Sequence, residues 1–386
     1  MFFHIGRHGL DNFPEHCAIG ELVVSMDAGW RRIQDCDGNI LLYKGYVDDG
    51  VIDTMVSDIA LQQEPYLAGN FCVLKCTPWA IEIKTERLRS FPLWYSADRG
   101  ITNLEPLAHQ IWADSLVTVN NQLELVETKF DLVGSVDVCE RSLAQTVDLV
   151  DHMLTNKIQA FAGYNDLPLR VFVSGGVDTM LLYAYVRSLG IPHQLVDYQH
   201  TDLDLFYVRN QHRLEQFWGY RQIHHWRESC VLASGAPGDE FTMRNPVIAN
   251  LILSCYKTDV LSLLADRPDC MHRDFFTSGK YVQALKHSEQ FTDINSAVAA
   301  AINRNVNDHQ HWHLGNTLTW TPFRDRDIFV AIAGLPLEDL VDQVLDSVIQ
   351  RRLIHRHAPE LLPCLSRQKN SSNSLELTWP ILSQQI

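Results

Sequence analysis

The sequence has 386 residues, which is enough for two or three domains at roughly 150 residues each. Apolar residues make up 46% of the chain and charged residues 20%, and these ordinary proportions exclude an extended disordered protein. The net charge of −15 argues against binding of nucleic acid through a basic surface. A site for a smaller polyanion would have to be built locally, from backbone amides, a metal ion and a few cations.

The first 130 residues are predicted to form short strands separated by turns. Alternating or β-branched runs that favour strands occur at 21–26, 40–47, 70–76 and 80–85. An Asn-Asn pair at 120–121 lies between two further runs of this kind and predicts a hairpin. We therefore expect antiparallel sheets in this half of the chain.

The pattern changes near residue 135. Apolar residues recur at helical spacing at 143, 147, 150 and 154, and the run 169–173 is typical of a buried strand. A helix is predicted at 177–189, and Gly190 is the signal that ends it. After it the pattern predicts a strand at 193–198, a helix at 204–218 and two strands at 222–226 and 230–234. Strands that alternate with helices predict a parallel sheet, and the chain after about 245 is expected to be mostly helical.

The cysteines and the apolar runs favour a cytoplasmic protein. Nine cysteines occur, an odd number, and none form a CxxC pair, so we expect neither a disulfide framework nor a zinc site. The first residues lack the apolar core of a signal peptide, and the longest apolar runs are too short to span a membrane.

The segment SGGVDT (174–179) joins a predicted strand to a predicted helix. Its two glycines allow a tight turn, and the helix after it begins with N–H groups that have no carbonyl partner within the helix. Such a loop is suited to pyrophosphate, and Asp178 beside it is suited to Mg²⁺. The same six residues are also compatible with an ordinary Gly-Gly turn that carries capping side chains.

A second loop, SGAPGDE (234–240), follows another predicted strand. Loops that follow parallel strands lie at the same edge of the sheet, so Asp239 is expected to approach Asp178 across one bound Mg-ATP. Taken alone, this segment would be interpreted as a surface turn.

Together these segments resemble the asparagine synthetase family. SGGVDT and SGAPGDE are similar to the nucleotide loops of its ATP-pyrophosphatase (PP-loop) domain, and 321–336 and 362–370 resemble its later R-x-P-F-L-D and catalytic-lysine segments. The stretches 68–76 and 90–100 are similar to strands of its class II glutamine amidotransferase domain. The resemblance implies an α/β chain of two domains. These are an antiparallel β-rich, degenerate amidotransferase-like domain at 1–133 and, at 134–386, an asparagine synthetase-like domain with a parallel sheet and a helical C-terminal part.

The resemblance also implies a reaction and a set of residues. ATP would adenylate a substrate carboxylate, pyrophosphate would leave, and an amine would displace AMP to form an amide. The residues implied to bind ATP are Ser174, Gly175, Gly176, Asp178, Thr179, Leu195, Val196, Asp197, Ser234 and Gly235. Asp178 and Asp239 would hold Mg²⁺, and Lys369 would stabilise charge on the phosphates.

Two departures from the family pattern bear on function. The family's glutaminase uses a cysteine at position 2, where this sequence has phenylalanine, so glutamine hydrolysis is expected to be absent, as in the β-lactam synthetase and lasso-peptide cyclase branches. The second loop has Ala236 where the family has Glu or Tyr, and alanine cannot deprotonate an amine. Asp308 is named as the candidate base.

Three interpretations therefore follow from the sequence. The first is an amide ligase that acts on a small-molecule or peptide carboxylate and an amine, with neither nucleic acid nor membrane as partner. The second is a catalytically degenerate relative that binds a nucleotide or a partner. The third is another PP-loop chemistry such as RNA thiolation, against which the acidic charge and the lack of a catalytic cysteine pair both argue.

Overall fold

The computed structural model describes residues 1–365 except 12, 49, 63–66, 104–106, 135, 137–140, 174, 197–229, 236–237, 280–281, 283–290, 292 and 310–316. At 196, 304–309 and 317–319 it describes the course of the backbone only. The described chain is a mixed α/β protein, with antiparallel sheets in its N-terminal part and helices around a parallel sheet in its C-terminal part.

Twelve strands of the N-terminal part form two six-stranded antiparallel sheets. The first sheet has the order β10-β8-β9-β1-β3-β2 and the second β12-β11-β7-β6-β5-β4. The strands are β1 Phe3–Gly6, β2 Glu15–Ile19, β3 Leu22–Met26, β4 Arg31–Gln34, β5 Ile40–Val47, β6 Gly69–Cys76, β7 Ala80–Thr85, β8 Leu93–Ser96, β9 Gly100–Thr102, β10 His109–Ile111, β11 Ser115–Asn120 and β12 Leu125–Lys129. The predicted antiparallel arrangement is confirmed, including the hairpin at Asn120, where β11 and β12 pair.

The second sheet is covered on both faces. Its strand β5 directs Leu42 into the core shared with the first sheet, whereas Leu41 and Tyr43 point to the other side. On that other side lies helix α1 (Ile52–Leu61), which buries Ile52, Val56, Ile59 and Ala60. Sequence analysis did not predict this helix, although its buried positions follow helical spacing.

Histidine 4 lies inside the first sheet, on β1, and is only 7% exposed. Burial, and to a smaller extent the charge of Arg99, lower the pKa of its imidazole to about 4. Between pH 6.5 and 4 the unfolded chain therefore binds the proton more readily than the folded chain, so folding stability falls as the pH falls through this window.

We expect the His4→Gln variant to lose less stability on acidification than the wild type. The difference in unfolding free energy between pH 7 and 4.5 should be smaller in the variant by about 2–3 kcal/mol. Urea unfolding at both pH values measures it, with His8→Gln, at an exposed position, as the matched control. An equal pH dependence in wild type and His4→Gln would contradict the buried, neutral imidazole.

The C-terminal part is built around four parallel strands in the order β14-β13-β15-β16. These strands are β13 Leu169–Phe172, β14 Gln194–Val196, β15 Cys230–Ala233 and β16 Thr317–Trp320. The described helices of this part are α2 Leu143–Tyr164, α3 Val177–Ser188, α4 Gly238–Phe241, α5 Pro246–Ser254, α6 Val260–Asp266, α7 Arg273–Thr277, α8 Ile294–His309, α9 Arg326–Ala333, α10 Leu337–Asp346 and α11 Val348–His357, followed by a 3₁₀ helix at Pro359–Cys364.

The parallel sheet predicted from alternating strands and helices is confirmed for β13, β14 and β15. Strand β16 is not predicted by the sequence, whose pattern after about 245 indicates mostly helices. The predicted helix at 204–218 and the strand at 222–226 lie outside the described residues. Among the helices that the structure describes, none is both long and apolar enough to cross a membrane.

A buried polar junction joins the two parts of the chain. The indole nitrogen of Trp320, at the end of β16, donates a hydrogen bond to Asp48 Oδ1 at 3.1 Å. Lys157 of α2 forms ion pairs with Asp48 at 3.4 Å and with Asp325 at 2.8 Å. The ring of Phe161 stacks on Trp320 with centroids 3.9 Å apart. Residues just beyond β5 thus contribute to the packing of the C-terminal sheet.

Candidate active site

The two glycine-containing loops emerge from neighbouring parallel strands. Strands β13 and β15 pair directly, with Leu169 opposite Val231 and Val171 opposite Ala233. Each strand is followed by a loop and then by a helix, α3 in the first case and α4 in the second. Both loops therefore lie at the carboxyl edge of the sheet, as the sequence predicted.

The first loop is shaped by its glycines. Gly175 has φ +73°, a left-handed conformation that favours glycine, and Gly176 is the N-cap of the 12-residue helix α3. The Thr179 hydroxyl donates a hydrogen bond to the carbonyl oxygen of Gly176 at 2.9 Å. The start of α3 thus presents the positive end of a helix dipole at the edge of the sheet.

Glycines of the second loop allow it to pack against the first. A Cβ atom added to Gly235 would lie 2.5 Å from the backbone nitrogen of Thr179, and one added to Gly238 would collide with the Asp178 carboxyl group. Only a residue without a side chain fits at such distances. The close contact between the loops therefore depends on these two glycines.

The structure brings Asp178 and Asp239 close together, with an arginine between them. Arg244 Nη2 donates hydrogen bonds to Asp178 Oδ2 and to Asp239 Oδ1. The arginine side chain is 6% exposed and that of Asp178 is 7% exposed, so the interaction is shielded from water. One nitrogen atom thus marks the point where the two acidic side chains converge.

A chain of buried amides holds the other oxygen of Asp178. Gln350 Nε2, on α11, donates to Asp178 Oδ1 at 3.3 Å. Gln350 Oε1 in turn accepts from Gln343 Nε2 at 2.8 Å, and the same Nε2 donates to the Thr242 carbonyl oxygen at 2.8 Å. The orientation of each amide is set by the next, and so the Asp178 side chain is fixed from both sides.

Burial dominates the electrostatics of Asp178. It raises the pKa of the carboxyl group above its ordinary value; Arg244 acts to lower this pKa and the neighbouring Asp239 acts to raise it further. A second cation near the pair would favour the ionised form.

The two aspartates are suitable ligands for Mg²⁺, because both supply carboxylate oxygens and the two side chains converge. Magnesium prefers oxygen ligands and is commonly held by one or two carboxylates together with the phosphates of its substrate. Within the part of the chain that the structure describes, no group of three or more histidine, cysteine, aspartate or glutamate side chains could hold a metal without such help. A pair of carboxylates would hold such an ion only together with the phosphates of a bound substrate.

The remaining predicted residues differ in how much of each the structure describes. Leu195 and Val196 lie on β14, opposite Val171 and Phe172 of β13, and the backbone nitrogen of Ser234 donates to the Trp320 carbonyl oxygen at 2.9 Å. Asp308 lies near the C-terminal end of α8, at 304–309, where the structure describes the backbone only. Ser174, Asp197, Ala236 and Lys369 lie outside the described residues.

Sequence reasoning missed Arg244 and Gln350. Arg244 follows Asp239 by only five residues, so a basic side chain near the second loop was a signal that could have been used. Gln350 is 172 residues from Asp178 in the sequence, and no local pattern connects the two.

Two of the four described thiols of the N-terminal part, those of Cys72 and Cys76, are poorly suited to nucleophilic catalysis. Cys17, Cys72 and Cys76 are buried, and Cys36 is exposed. Burial raises the pKa of Cys76 to about 12 and that of Cys72 well above its ordinary value. Such thiols contain very little of the thiolate that attacks a substrate.

No model of a protein family matches the sequence, and no curated protein matches it significantly.

Proposed function

We propose that the protein is an ATP-dependent ligase that adenylates a carboxylate and couples it to an amine, with release of AMP and pyrophosphate and without glutaminase activity. The observation that carries this proposal is the convergence of two glycine-containing loops and two aspartates at the carboxyl edge of a parallel sheet. The two domains would be a degenerate class II amidotransferase-like region at 1–133 and a PP-loop region at 134–386.

The proposed reaction has two steps. A carboxylate oxygen of the substrate attacks the α-phosphorus of ATP, and pyrophosphate leaves with the electron pair of the broken oxygen–phosphorus bond. The amine nitrogen then attacks the acyl carbon, AMP leaves, and the amine loses a proton to a base. Asp308 is the proposed base, and Lys369 is proposed to stabilise the negative charge that develops on the phosphates.

The first loop would bind the departing pyrophosphate. The left-handed Gly175 and the N-terminus of α3 would direct backbone amides and a helix dipole at the anion. Asp178 and Asp239 would hold Mg²⁺, which when bound neutralises charge on the phosphates. Leu195 and Val196, on the neighbouring strand, would contact the adenine.

The expected absence of glutaminase activity, inferred from the phenylalanine at position 2, is supported by two buried thiols of the N-terminal part. Because burial raises the pKa of Cys72 and Cys76, neither is prepared to attack an amide. The amine would then come directly from a second substrate or from another part of the same one.

Exchange of labelled pyrophosphate into ATP tests the proposal. The purified chain is incubated with ATP, Mg²⁺ and one candidate acid at a time, drawn from amino acids, dicarboxylic acids and peptides. We expect label to enter ATP only when the cognate carboxylate is present, because exchange requires a reversible adenylation step. Calorimetry with ATP provides a separate measure of nucleotide binding.

One observation favours a second candidate function, a nucleotide-binding protein that has lost catalysis. Arg244 lies between the two acidic side chains that would hold the metal. Binding of ATP without exchange for any acid would support this alternative. The absence of both binding and exchange would contradict both candidates.

A further inference from the structure

The position of Arg244 is relevant to how a metal reaches the acid pair. Its Nη2 atom donates to one oxygen of Asp178 and to one of Asp239. A metal ion bound by both carboxylates, at roughly 2.0–2.1 Å from each oxygen, would need the space that this nitrogen fills. The arginine and a shared metal ion therefore exclude each other.

The fold fixes Arg244 in this place. The residue before it, Met243, is buried and has φ +64°, an unfavourable conformation for a residue with a side chain. This turn directs Arg244 back over the site, where its backbone nitrogen donates to the Asp239 carbonyl oxygen at 2.9 Å. The guanidinium carbon lies 6.0 Å from the ring centroid of Phe275, a favourable distance for a cation above an aromatic ring. The backbone turn, the Phe275 ring and the two carboxylates thus hold the Arg244 side chain in one position.

Arg244 is attracted by the two carboxylates, and it would also be attracted by the phosphates of a bound nucleotide. A guanidinium group keeps its proton at any ordinary pH, so it compensates one of the two negative charges when no other cation is present. A bound triphosphate would offer it a more highly charged partner and strong charge-assisted hydrogen bonds. Its departure would expose both carboxylates to a metal ion.

We propose that Arg244 is a built-in counter-cation of the acid pair, and that a divalent metal ion binds Asp178 and Asp239 only when Arg244 is displaced. The inference rests on the proposed function in one respect, since it assigns the acid pair to a metal. It adds that the nucleotide-free protein has low affinity for divalent ions at this site. Removal of the guanidinium group would then create a metal site.

Manganese binding without nucleotide tests this inference. Free Mn²⁺ is measured by electron paramagnetic resonance in the presence of the full chain as wild type, Arg244→Met and Arg244→Lys. The methionine variant keeps an apolar stem of similar length and removes the charge, whereas the lysine variant is the matched control that retains the charge. We expect Arg244→Met to bind one Mn²⁺ at least about tenfold more tightly than the wild type, and Arg244→Lys to remain close to the wild type.

A double variant tests whether the added Mn²⁺ affinity comes from the acid pair. Arg244→Met combined with Asp178→Asn should lose the added affinity, because one of the two carboxylates is gone. If Arg244→Met unfolds because its acidic groups repel each other, Mn²⁺ should restore its circular dichroism spectrum, whereas a buffer of equal ionic strength without divalent ions should not.

Two results would overturn the inference. One is an Arg244→Met variant that neither binds Mn²⁺ more tightly than the wild type nor is refolded by it. The other is a wild type that binds Mn²⁺ as tightly as the variant. Because no nucleotide is present, either result is independent of whether the protein catalyses pyrophosphate exchange.

Discussion

Replacement of Asp178 by asparagine is expected to lower carboxylate-dependent pyrophosphate exchange by about a hundredfold or more. The variant removes one of two converging charges and leaves the helix and loop backbones in place. Pyrophosphate exchange at saturating ATP and acid measures the loss, and calorimetry shows how much of it comes from weaker nucleotide binding.

The hydrogen-bond network adds a cost in stability to this variant. One oxygen of Asp178 accepts from Arg244 and the other from Gln350, so the new NH₂ group must face a donor whichever way the asparagine is turned. Rotating the Gln350 amide would not resolve the conflict, because its oxygen already accepts from Gln343. We expect the free energy of unfolding to fall by about 1–3 kcal/mol.

A matched control separates local chemistry from general damage. Asp274, on the short helix α7, is exposed, so Asp274→Asn changes the net charge equally without touching the site. Its exchange rate and stability should remain at wild-type values. If Asp178→Asn exchanged pyrophosphate at the wild-type rate, the nucleotide would have to bind elsewhere in the molecule.

Replacement of Gly235 by alanine is expected to destabilise the protein and abolish nucleotide binding together. The added methyl group would lie 2.5 Å from the Thr179 nitrogen and 2.8 Å from the Asp178 carbonyl carbon, and both of these are backbone atoms that cannot rotate away. Separation of the loops would cost roughly 1–3 kcal/mol of unfolding free energy. It would also move Asp239 away from Asp178.

The control for this variant is Gly163→Ala. Gly163 lies within α2, and a Cβ atom added there meets nothing within 4 Å. The same substitution should stabilise the helix by about 0.5–1 kcal/mol and leave ATP binding unchanged. Urea unfolding and calorimetry measure both variants. A stable Gly235→Ala protein that still binds ATP would show that the loops need not touch.

The sequence was most informative where a local pattern sets the geometry. A strand, a glycine turn and a helix occur twice, and parallel pairing then brings Asp178 and Asp239 to one edge of the sheet. The hairpin at Asn120 depends on neighbours in the sequence in the same way.

Features that depend on contacts distant in the sequence were not predicted. Helix α1 is short, lies among strands and is stabilised by packing on β5 and β6. Strand β16 has only four residues, and its place beside β15 follows from pairing rather than from its own composition. The position of Arg244 depends on a left-handed turn at Met243, a residue type that gives no sign of such a conformation.

The polar junction at Trp320 has a consequence for how the chain could be divided. Expression of 134–386 alone would leave the indole of Trp320 without its Asp48 acceptor and Lys157 without one of its two carboxylates. It would also uncover the stacked rings of Phe161 and Trp320, and a fragment of this kind should be prone to aggregation. The N-terminal region would then have a role that requires no chemistry, which is to cover apolar surface of the remainder of the chain.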